Sequence, residues 1–156
     1  MKIAARILSL VVLAALTTFY VSCKPDDDPE KSETDQQIEK LNGTWAVSEA
    51  TLNSGPPDLD HSGMTMAISG TAGNQSVSFS VNGRPAGPSA WPPNGTFAFG
   101  TANVKTSLTR DDGVAVSYSV TDTQLIMDFE FQMTPYTSSG KSKSVEGQWH
   151  FVFTKQ

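Results

Sequence analysis

The sequence predicts an all-β fold of about eight antiparallel strands from two observations. Apolar and polar residues alternate with a period of two in successive short segments, as in Val77, Phe79 and Val81 with serines between them. Turn sequences such as Asn82-Gly83 and Asp112-Gly113 lie beside these segments. A period of two with one apolar side is typical of antiparallel strands with one buried face. Many such strands indicate a small barrel, and a β-sandwich is the alternative.

Seven strands are predicted from this alternation. Their apolar positions are Trp45 and Val47, then alternate residues within 64–68, 77–81, 97–99, 114–120, 125–131 and 149–153. An eighth strand is expected across residues 103–108. Residues 53–63 and 83–95 are rich in glycine and proline, so we expect irregular loops there. Only residues 36–42 have a weak helical pattern.

The first 22 residues have the layout of a secretory signal peptide. Lys2 and Arg6 give a positive start, and residues 7–16 form a mostly apolar run, much shorter than the roughly 18 residues of a membrane-spanning helix. Ser22-Cys23 at the end of this leader resembles the lipobox of bacterial lipoproteins. The resemblance implies cleavage before Cys23 and a diacylglyceryl group on its thiol. Cys23 is the sole cysteine of the chain, so it has no intramolecular disulfide partner.

Residues 23–40 are predicted to be a disordered tether. Charged residues and proline dominate this segment, and no apolar residue occurs between Pro29 and Gln37, so the tether cannot bury a core. A cysteine followed closely by the acidic residues 26–28 resembles the export signal of surface lipoproteins of Bacteroidota. This resemblance implies an outer-membrane lipoprotein exposed on the cell surface, and a periplasm-facing anchor is the alternative.

Residues 41–156 form the predicted barrel domain, which is large enough for a core without disulfides. The whole chain has a net charge of −5, and residues 41–156 hold six basic and nine acidic side chains. No basic stripe occurs, which argues against nucleic acid as a partner. The lipid anchor predicted at Cys23 makes the membrane the expected partner. The sequence indicates no particular protein partner.

The domain also resembles the lipocalin-like lipoproteins of Bacteroidota. The sequences that carry this resemblance include Gly43-Thr44-Trp45, Trp91-Pro92-Pro93, Arg110-Asp111-Asp112-Gly113 and Gly147-Gln148-Trp149. The resemblance implies a lipocalin-like, antiparallel up-and-down β-barrel of about eight strands, in which Gly43, Trp45 and Trp149 are structural. Lys155 stands where lipocalins stack an arginine over the tryptophan of the first strand. Because the first and last strands of a barrel are neighbours, we expect Trp45 and Trp149 to lie near each other in the core.

A small apolar or glycan ligand is a further implication of the resemblance. The interior of an eight-stranded barrel is either filled by its own side chains or holds one small molecule. Trp91 lies in a proline-stiffened loop and is expected either to be an exposed stacking platform or to close one end of the barrel. The residues predicted to bind the ligand are Trp91, Tyr118, Met127 and Phe129. A lumen filled by Met64, Met66, Phe79, Phe129 and Phe151 would instead favour a structural or interaction module.

The sequence predicts no catalytic residue, metal site or cofactor. His61 lies in a loop of prolines and glycines, where a solvated turn residue is expected, and His150 is expected on an outer strand face. Asp128 and Glu130 lie two residues apart on one strand and are expected to belong to a charged exterior. No serine lies in a G-x-S-x-G sequence. Two functions stay open: an envelope protein that binds a small ligand in its barrel, and a non-catalytic structural or interaction module.

Overall fold

A computed structural model describes residues 30–132 and 145–156, and in this part of the chain eight antiparallel strands close into a barrel. The elements are α1 (Glu33–Leu41), β1 (Gly43–Leu52), β2 (Thr65–Ser69), β3 (Ser76–Asn82), β4 (Asn94–Phe99), β5 (Ser107–Arg110), β6 (Ala115–Val120), β7 (Gln124–Phe131) and β8 (Gly147–Lys155). Each strand pairs with the next in sequence, and β8 pairs with β1. The up-and-down barrel is therefore confirmed and the β-sandwich is excluded. The predicted signal peptide and Cys23 lie outside the described residues.

The predicted alternation of apolar and polar residues is the alternation of inner and outer faces in the barrel. Strand β3 shows it without exception, because Val77, Phe79 and Val81 are buried while the four residues around them are exposed. The same alternation places Leu125, Met127 and Phe129 of β7 inside. One continuous apolar core results, to which every strand contributes.

Strand β5 lies two to four residues later than the sequence pattern indicates. Residues 103–106, predicted as the start of the eighth strand, form a turn in which the amides of Thr106 and Ser107 donate to the carbonyl of Asn103. The strand itself buries Leu108 and Arg110. An arginine at an inward position breaks the apolar period, and this is why the alternation does not reveal the strand.

Helix α1 confirms the weak helical pattern predicted at residues 36–42 but begins at Glu33, within the residues predicted as tether. The Ser32 hydroxyl accepts from the Asp35 amide at 3.1 Å and caps the helix. Ile38 and Leu41, three residues apart on one helix face, are buried in the barrel core. The prediction of disorder is wrong for residues 33–40, since two apolar side chains on a capped helix suffice to dock this otherwise polar segment. The folded unit begins at Lys31.

The barrel has two different ends because its strands alternate in direction. We call one the helix end, formed by α1 and residues 70–75, 100–106 and 121–123. The other is the loop end, to which residues 53–64, 83–93 and 111–114 belong. The long connections predicted from glycine and proline, 53–63 and 83–95, are thus both at the loop end.

Trp45 and Trp149 are both core residues, but they lie at opposite ends of the barrel. Strands β1 and β8 pair antiparallel, with Trp45 opposite Lys155 and Trp149 opposite Leu52. The step of seven positions from Trp45 to Leu52 corresponds to roughly 23 Å of strand. The prediction that the two indoles lie close together is therefore wrong, because neighbouring antiparallel strands start at opposite ends.

The two Gly-x-Trp sequences nevertheless adopt the same local structure. Gly43 and Gly147 have φ of +138° and +135°, which L-residues with a side chain rarely adopt. Each indole Nε1 donates to the carbonyl four residues earlier, Trp45 to Leu41 and Trp149 to Val145, both at 2.8 Å. Each motif thus places a tryptophan beneath one end of the barrel, and the structural role predicted for Gly43, Trp45 and Trp149 fits this geometry.

Candidate functional site

The lumen of the barrel is occupied by side chains. Five residues were expected to fill the lumen if it holds no ligand, and each of them is at most 3 % exposed: Met64, Met66, Phe79, Phe129 and Phe151. Surface clefts of about 280 to 480 Å³ occur among the described residues, and charged or polar residues such as Glu49, Glu39 and Asp112 help to line them. These clefts lie outside the barrel wall rather than in its lumen.

Trp91 inserts into this lumen from the loop end. Its side chain is fully buried, so the loop does not present it to solvent as a stacking platform. Five phenyl rings surround the indole at centroid distances of 5.0 to 6.4 Å and interplanar angles of 70° to 88°: Phe79, Phe97, Phe129, Phe151 and Phe153. Such edge-to-face contacts are the favoured geometry of aromatic pairs. Trp91 thus acts as a plug, one of the two arrangements expected from its sequence context.

The 83–93 loop has the backbone that this insertion requires. Gly83 has φ of +67°, and a Cβ there would lie 2.1 Å from the carbonyl oxygen of Gly63 in the neighbouring loop. Only glycine fits this contact. Within the loop, Arg84 Nη1 donates to the Trp91 carbonyl at 2.9 Å, and the Trp91 amide donates to Ser89 Oγ at 3.2 Å.

Arg110 holds the other side of the plug. Its side chain is fully buried, and Nη1 donates to the carbonyl of Ala90 at 2.8 Å. Nε and Nη2 donate to the two carboxylate oxygens of Asp112 at 2.8 and 2.6 Å, a bidentate pair that holds the pKa of Asp112 below its usual range. The guanidinium carbon also lies 5.4 Å from the centroid of the Trp91 ring and 5.5 Å from that of Phe129.

The indole Nε1 of Trp91 has no hydrogen-bond acceptor among the described residues. A buried donor without a partner costs about 1–3 kcal/mol. The other two tryptophans differ in this respect, because Trp45 and Trp149 both donate to backbone carbonyls. The Trp91 indole is therefore held by ring contacts, while its N–H has no hydrogen-bond partner among the described residues.

No family model matches this chain, and a search of curated proteins finds no match either.

The other predicted ligand-binding residues do not gather around Trp91. Phe129 contacts it directly, and Met127 is fully buried further along β7. Tyr118 belongs to the helix end, where its hydroxyl donates to the Val104 carbonyl and lies 3.2 Å from Gln37 Oε1 of α1. Burial raises the pKa of Tyr118 well above its usual value. Tyr118 and Met127 are directly opposite each other on β6 and β7, so the four residues line the interior as two pairs, and only Phe129 contacts Trp91.

His61 is a buried aromatic neighbour of the core rather than a solvated turn residue. Its ring is 5.1 Å from the Trp149 ring and 5.6 Å from that of Phe151, centroid to centroid. Nδ1 donates to the Leu59 carbonyl at 2.7 Å, which assigns the proton of the neutral ring to Nδ1. Burial lowers the pKa of His61. The expectation of a solvated residue is wrong because the 53–64 loop folds this ring over the loop end.

The charged residues of β7 and β8 lie on the outer face, as expected. Asp128 Oδ1 and His150 Nδ1 are 2.6 Å apart, and Glu130 accepts from Gln148 Nε2 at 3.3 Å. Within residues 30–132 and 145–156, no group of three or more His, Cys, Asp and Glu side chains is placed to hold a metal ion. In the same ranges, no helix has the length and apolar character needed to cross a membrane.

Arg110 is the residue of this candidate site that the sequence pattern did not predict to be buried. The signal was its position two residues after Leu108, which gives both residues the same strand face. A charged residue at that position is usually placed on the outside, because ionised side chains are rarely buried without a partner. Asp112, two residues further on, is that partner.

Proposed function

We propose that this protein is a lipid-anchored cell-envelope protein whose packed barrel serves as a non-catalytic interaction module. The observation that carries the proposal is the filled lumen. Trp91 and the inward-facing aromatic residues of the strands occupy it, and the polar residues that alternate with them along the strands face outward. A filled barrel is a rigid scaffold for its outer face and loops. Contacts with another envelope component would then be made by that outer surface.

The anchor is the second part of the proposal. Residues 1–22 act as the signal peptide, Cys23 carries the lipid, and the acidic residues after it direct the protein to the outer surface of the outer membrane. Support comes from the order of these features along the chain. The composition of residues 24–30, rich in charge and proline, supports a spacer between the lipid and the barrel.

The lipocalin-like character of the barrel is part of the same proposal. It is supported by the Gly43-x-Trp45 motif at the start of β1 and by Lys155 at the end of β8, whose ammonium lies over the Trp45 ring. The eight-stranded meander agrees with that resemblance. Without a matching family, the resemblance rests on these features alone.

Localisation is tested with the wild-type chain and a Cys23→Ser variant. We expect the wild type in the outer-membrane fraction, degraded when intact cells are treated with protease, and the variant released from the membrane. Protection of the wild type in intact cells would contradict surface display. A Cys23→Ser variant that stays in the membrane would contradict the lipid anchor.

Ligand binding in the lumen is tested by tryptophan fluorescence. A packed lumen predicts that phospholipids, fatty acids and oligosaccharides leave the emission of Trp45, Trp91 and Trp149 unchanged. A saturable shift with any of them would favour the second candidate function, binding of a small apolar or glycan ligand. The loop origin of Trp91 is the observation that keeps this candidate open, because a loop side chain can leave the lumen without breaking the barrel.

A further inference from the structure

We propose that the free edge of β1 at Ala50 docks an extended peptide segment of a partner protein, in which an apolar residue is followed by a basic residue. The proposal rests on the interaction role proposed above, and it names the surface and the kind of partner. The site is a cleft of about 280 Å³ between β1 and the 53–64 loop, outside the barrel wall. The filled lumen takes no part in it.

Strand β1 loses one of its two neighbours part-way along its length. Its pairing with β2 ends where Ala46 lies opposite Thr65, and a last bond follows from the Val47 amide to the Met64 carbonyl at 3.0 Å. From there to Leu52, β8 is the one strand of the described chain that pairs with β1. A strand with a neighbour on one side presents unpaired backbone groups on the other.

The backbone of Ala50 points to this free side of β1. Leu52 points there as well, because its amide and carbonyl exchange hydrogen bonds with Gly55 at 2.8 and 3.0 Å. Alternate residues of a strand direct their backbone groups to the same side, so the N–H and C=O of Ala50 also face away from β8. No residue of the described chain bonds to them, and Ala50 is only half-buried. One donor and one acceptor are thus available to a strand that enters the cleft.

The 53–64 loop forms the opposite wall of the cleft. Pro56, Pro57 and Leu59 make this wall largely apolar. The two prolines have no backbone N–H, so they cannot donate to the Ala50 carbonyl. The loop therefore lies beside the edge of β1 without pairing with it.

The residues beside the edge determine the order of side chains in the partner. An antiparallel strand bonds to both backbone groups of Ala50 through a single residue, whose side chain faces the same way as that of Ala50. Ala50 lies opposite Phe151 on the inner face, so an apolar partner residue fits there. The next partner residue lies opposite Glu49, which is exposed on the outer face.

Charge complementarity makes this second partner residue basic. Glu49 and Asp60 both line the cleft, and no lysine or arginine does. The amide and hydroxyl of Ser62 donate to the Asp60 carboxylate at 2.8 and 3.0 Å and hold its pKa below the usual range, so Asp60 is ionised at neutral pH. A lysine or arginine beside Glu49 is therefore attracted, and an acidic residue there is repelled.

The partner class is tested by fluorescence anisotropy with labelled, capped pentapeptides. The probe has the order serine, threonine, valine, lysine, threonine, which places the valine opposite Ala50 and the lysine opposite Glu49. One control peptide has glutamate in place of the lysine, and the other is N-methylated at the valine, whose amide then cannot donate to Ala50. We expect the probe to bind the wild-type chain about fivefold or more tightly than either control. Equal affinity of the three peptides, or no binding of the probe at millimolar protein, would overturn the proposal.

Amide hydrogen exchange shows whether the probe lies at the edge of β1. In the free chain, the Ala50 amide should exchange fast, whereas the Thr51 amide, which faces β8, should be protected. The probe should slow exchange at Ala50 and leave Thr51 unchanged. Binding that leaves the exchange of Ala50 unchanged would contradict the site. Protection of Ala50 that rises with protein concentration in the absence of peptide would assign the edge to a second copy of the chain, and it would also overturn the proposal.

A Glu49→Gln variant tests the charge at the cleft. It should weaken binding of the probe by about threefold or more and leave the affinity for the glutamate peptide unchanged or higher. Glu130→Gln is the matched control, because it makes the same charge change on the outer face of β7 and does not line the cleft. Equal weakening by both substitutions would show a general attraction between opposite charges and would overturn the site. None of these results affects the localisation or lumen experiments, so failure of this proposal is distinguishable from failure of the proposed function.

Discussion

The ammonium of Lys155 lies 5.0 Å from the centroid of the Trp45 ring, at the helix end of the barrel. The same ammonium donates to the Lys40 carbonyl at 3.2 Å, so it joins the last strand to α1. Gly43 makes room for this arrangement, since a Cβ on Gly43 would lie 2.9 Å from Lys155 Cε. The first residue of β1 and the last of β8 thus determine together how Trp45 is covered. A cation over a tryptophan face at a surface site contributes about 0.5–1 kcal/mol.

A Gly43→Ala substitution should lower the free energy of unfolding by about 1–3 kcal/mol. The added Cβ would strain the backbone at φ of +138° and push Lys155 away from Trp45. Urea denaturation measures the change. Gly63→Ala is the control, because a Cβ there has nothing within 4 Å and should change the stability little. Equal effects of the two substitutions would show that the Gly43 contact is unimportant.

His61 should make the barrel less stable as the pH falls from about 7.5 to 5. Burial lowers the pKa of His61 in the folded state, so the unfolded chain, with a pKa near 6.5, binds the proton first. Stability is therefore fully present above the unfolded pKa and decreases as the pH falls toward the folded pKa.

Thermal unfolding across this pH range checks the contribution of His61. A His61→Phe variant should lose most of the slope between pH 7.5 and 5, while a His150→Gln variant should keep it. The opposite result, with the slope lost in the His150 variant, would assign the pH dependence to the outer face. Carboxylates such as Asp112 contribute at lower pH, because their folded pKa lies below the usual value.

An Asp112→Asn substitution should destabilise the loop end by about 1–3 kcal/mol, because it leaves the buried Arg110 guanidinium without its carboxylate. The magnitude is moderated by solvent, since the Asp112 side chain is 42 % exposed. Asp111→Asn is the matched control, as it makes the same charge change one residue earlier without affecting Arg110. Chemical denaturation compares the two variants. In an Arg110→Met background, the two substitutions should change the stability equally. A stability difference that persists in this background would contradict the role of Asp112 as the partner of Arg110.

An Ile38→Ala substitution tests whether α1 belongs to the folded domain. Ile38 is buried against the barrel, so truncation should cost about 2–5 kcal/mol. Glu39→Ala, on the exposed side of the same helix, removes only a surface ion pair with Lys31 and should cost less than about 1 kcal/mol. Comparison of the denaturant midpoints of both variants measures these losses of stability. A neutral Ile38→Ala variant would restore the prediction that residues 23–40 are a tether throughout.

The strands were predictable because each buries one face, which leaves a period of two in the sequence. Strand β5 was harder to place, since Arg110 occupies an inward position that the pattern reserves for apolar residues. Helix α1 was predicted only as a weak helical pattern over residues 36–42 for a related reason, because only Ile38 and Leu41 among its mostly polar residues mark the buried face. The pattern of apolar residues therefore predicts strands and helices with many buried residues clearly, and those with few only weakly.

The candidate site was less predictable than the fold. Trp91 could be recognised from the sequence as a candidate site residue. Whether its side chain points into the lumen or into solvent could not be predicted, because a loop has no periodic pattern that indicates a buried face. The burial of His61 over Trp149 depends on the path of a whole loop, and the pairing of Arg110 with Ala90 joins residues twenty positions apart. Such contacts are made by the folded barrel and leave no periodic signal.

The sequence was sufficient for most strands and their inner faces, because alternation is a local property of the chain. It left barrel and sandwich as alternatives, and the pairing of β8 with β1 decides between them. It could not assign Trp45 and Trp149 to opposite ends, since that follows from how β8 returns to pair antiparallel with β1. Nor could it show that the lumen is filled. That depends on the volumes of side chains from eight strands and one loop meeting in the same space, and only the closed barrel brings them together.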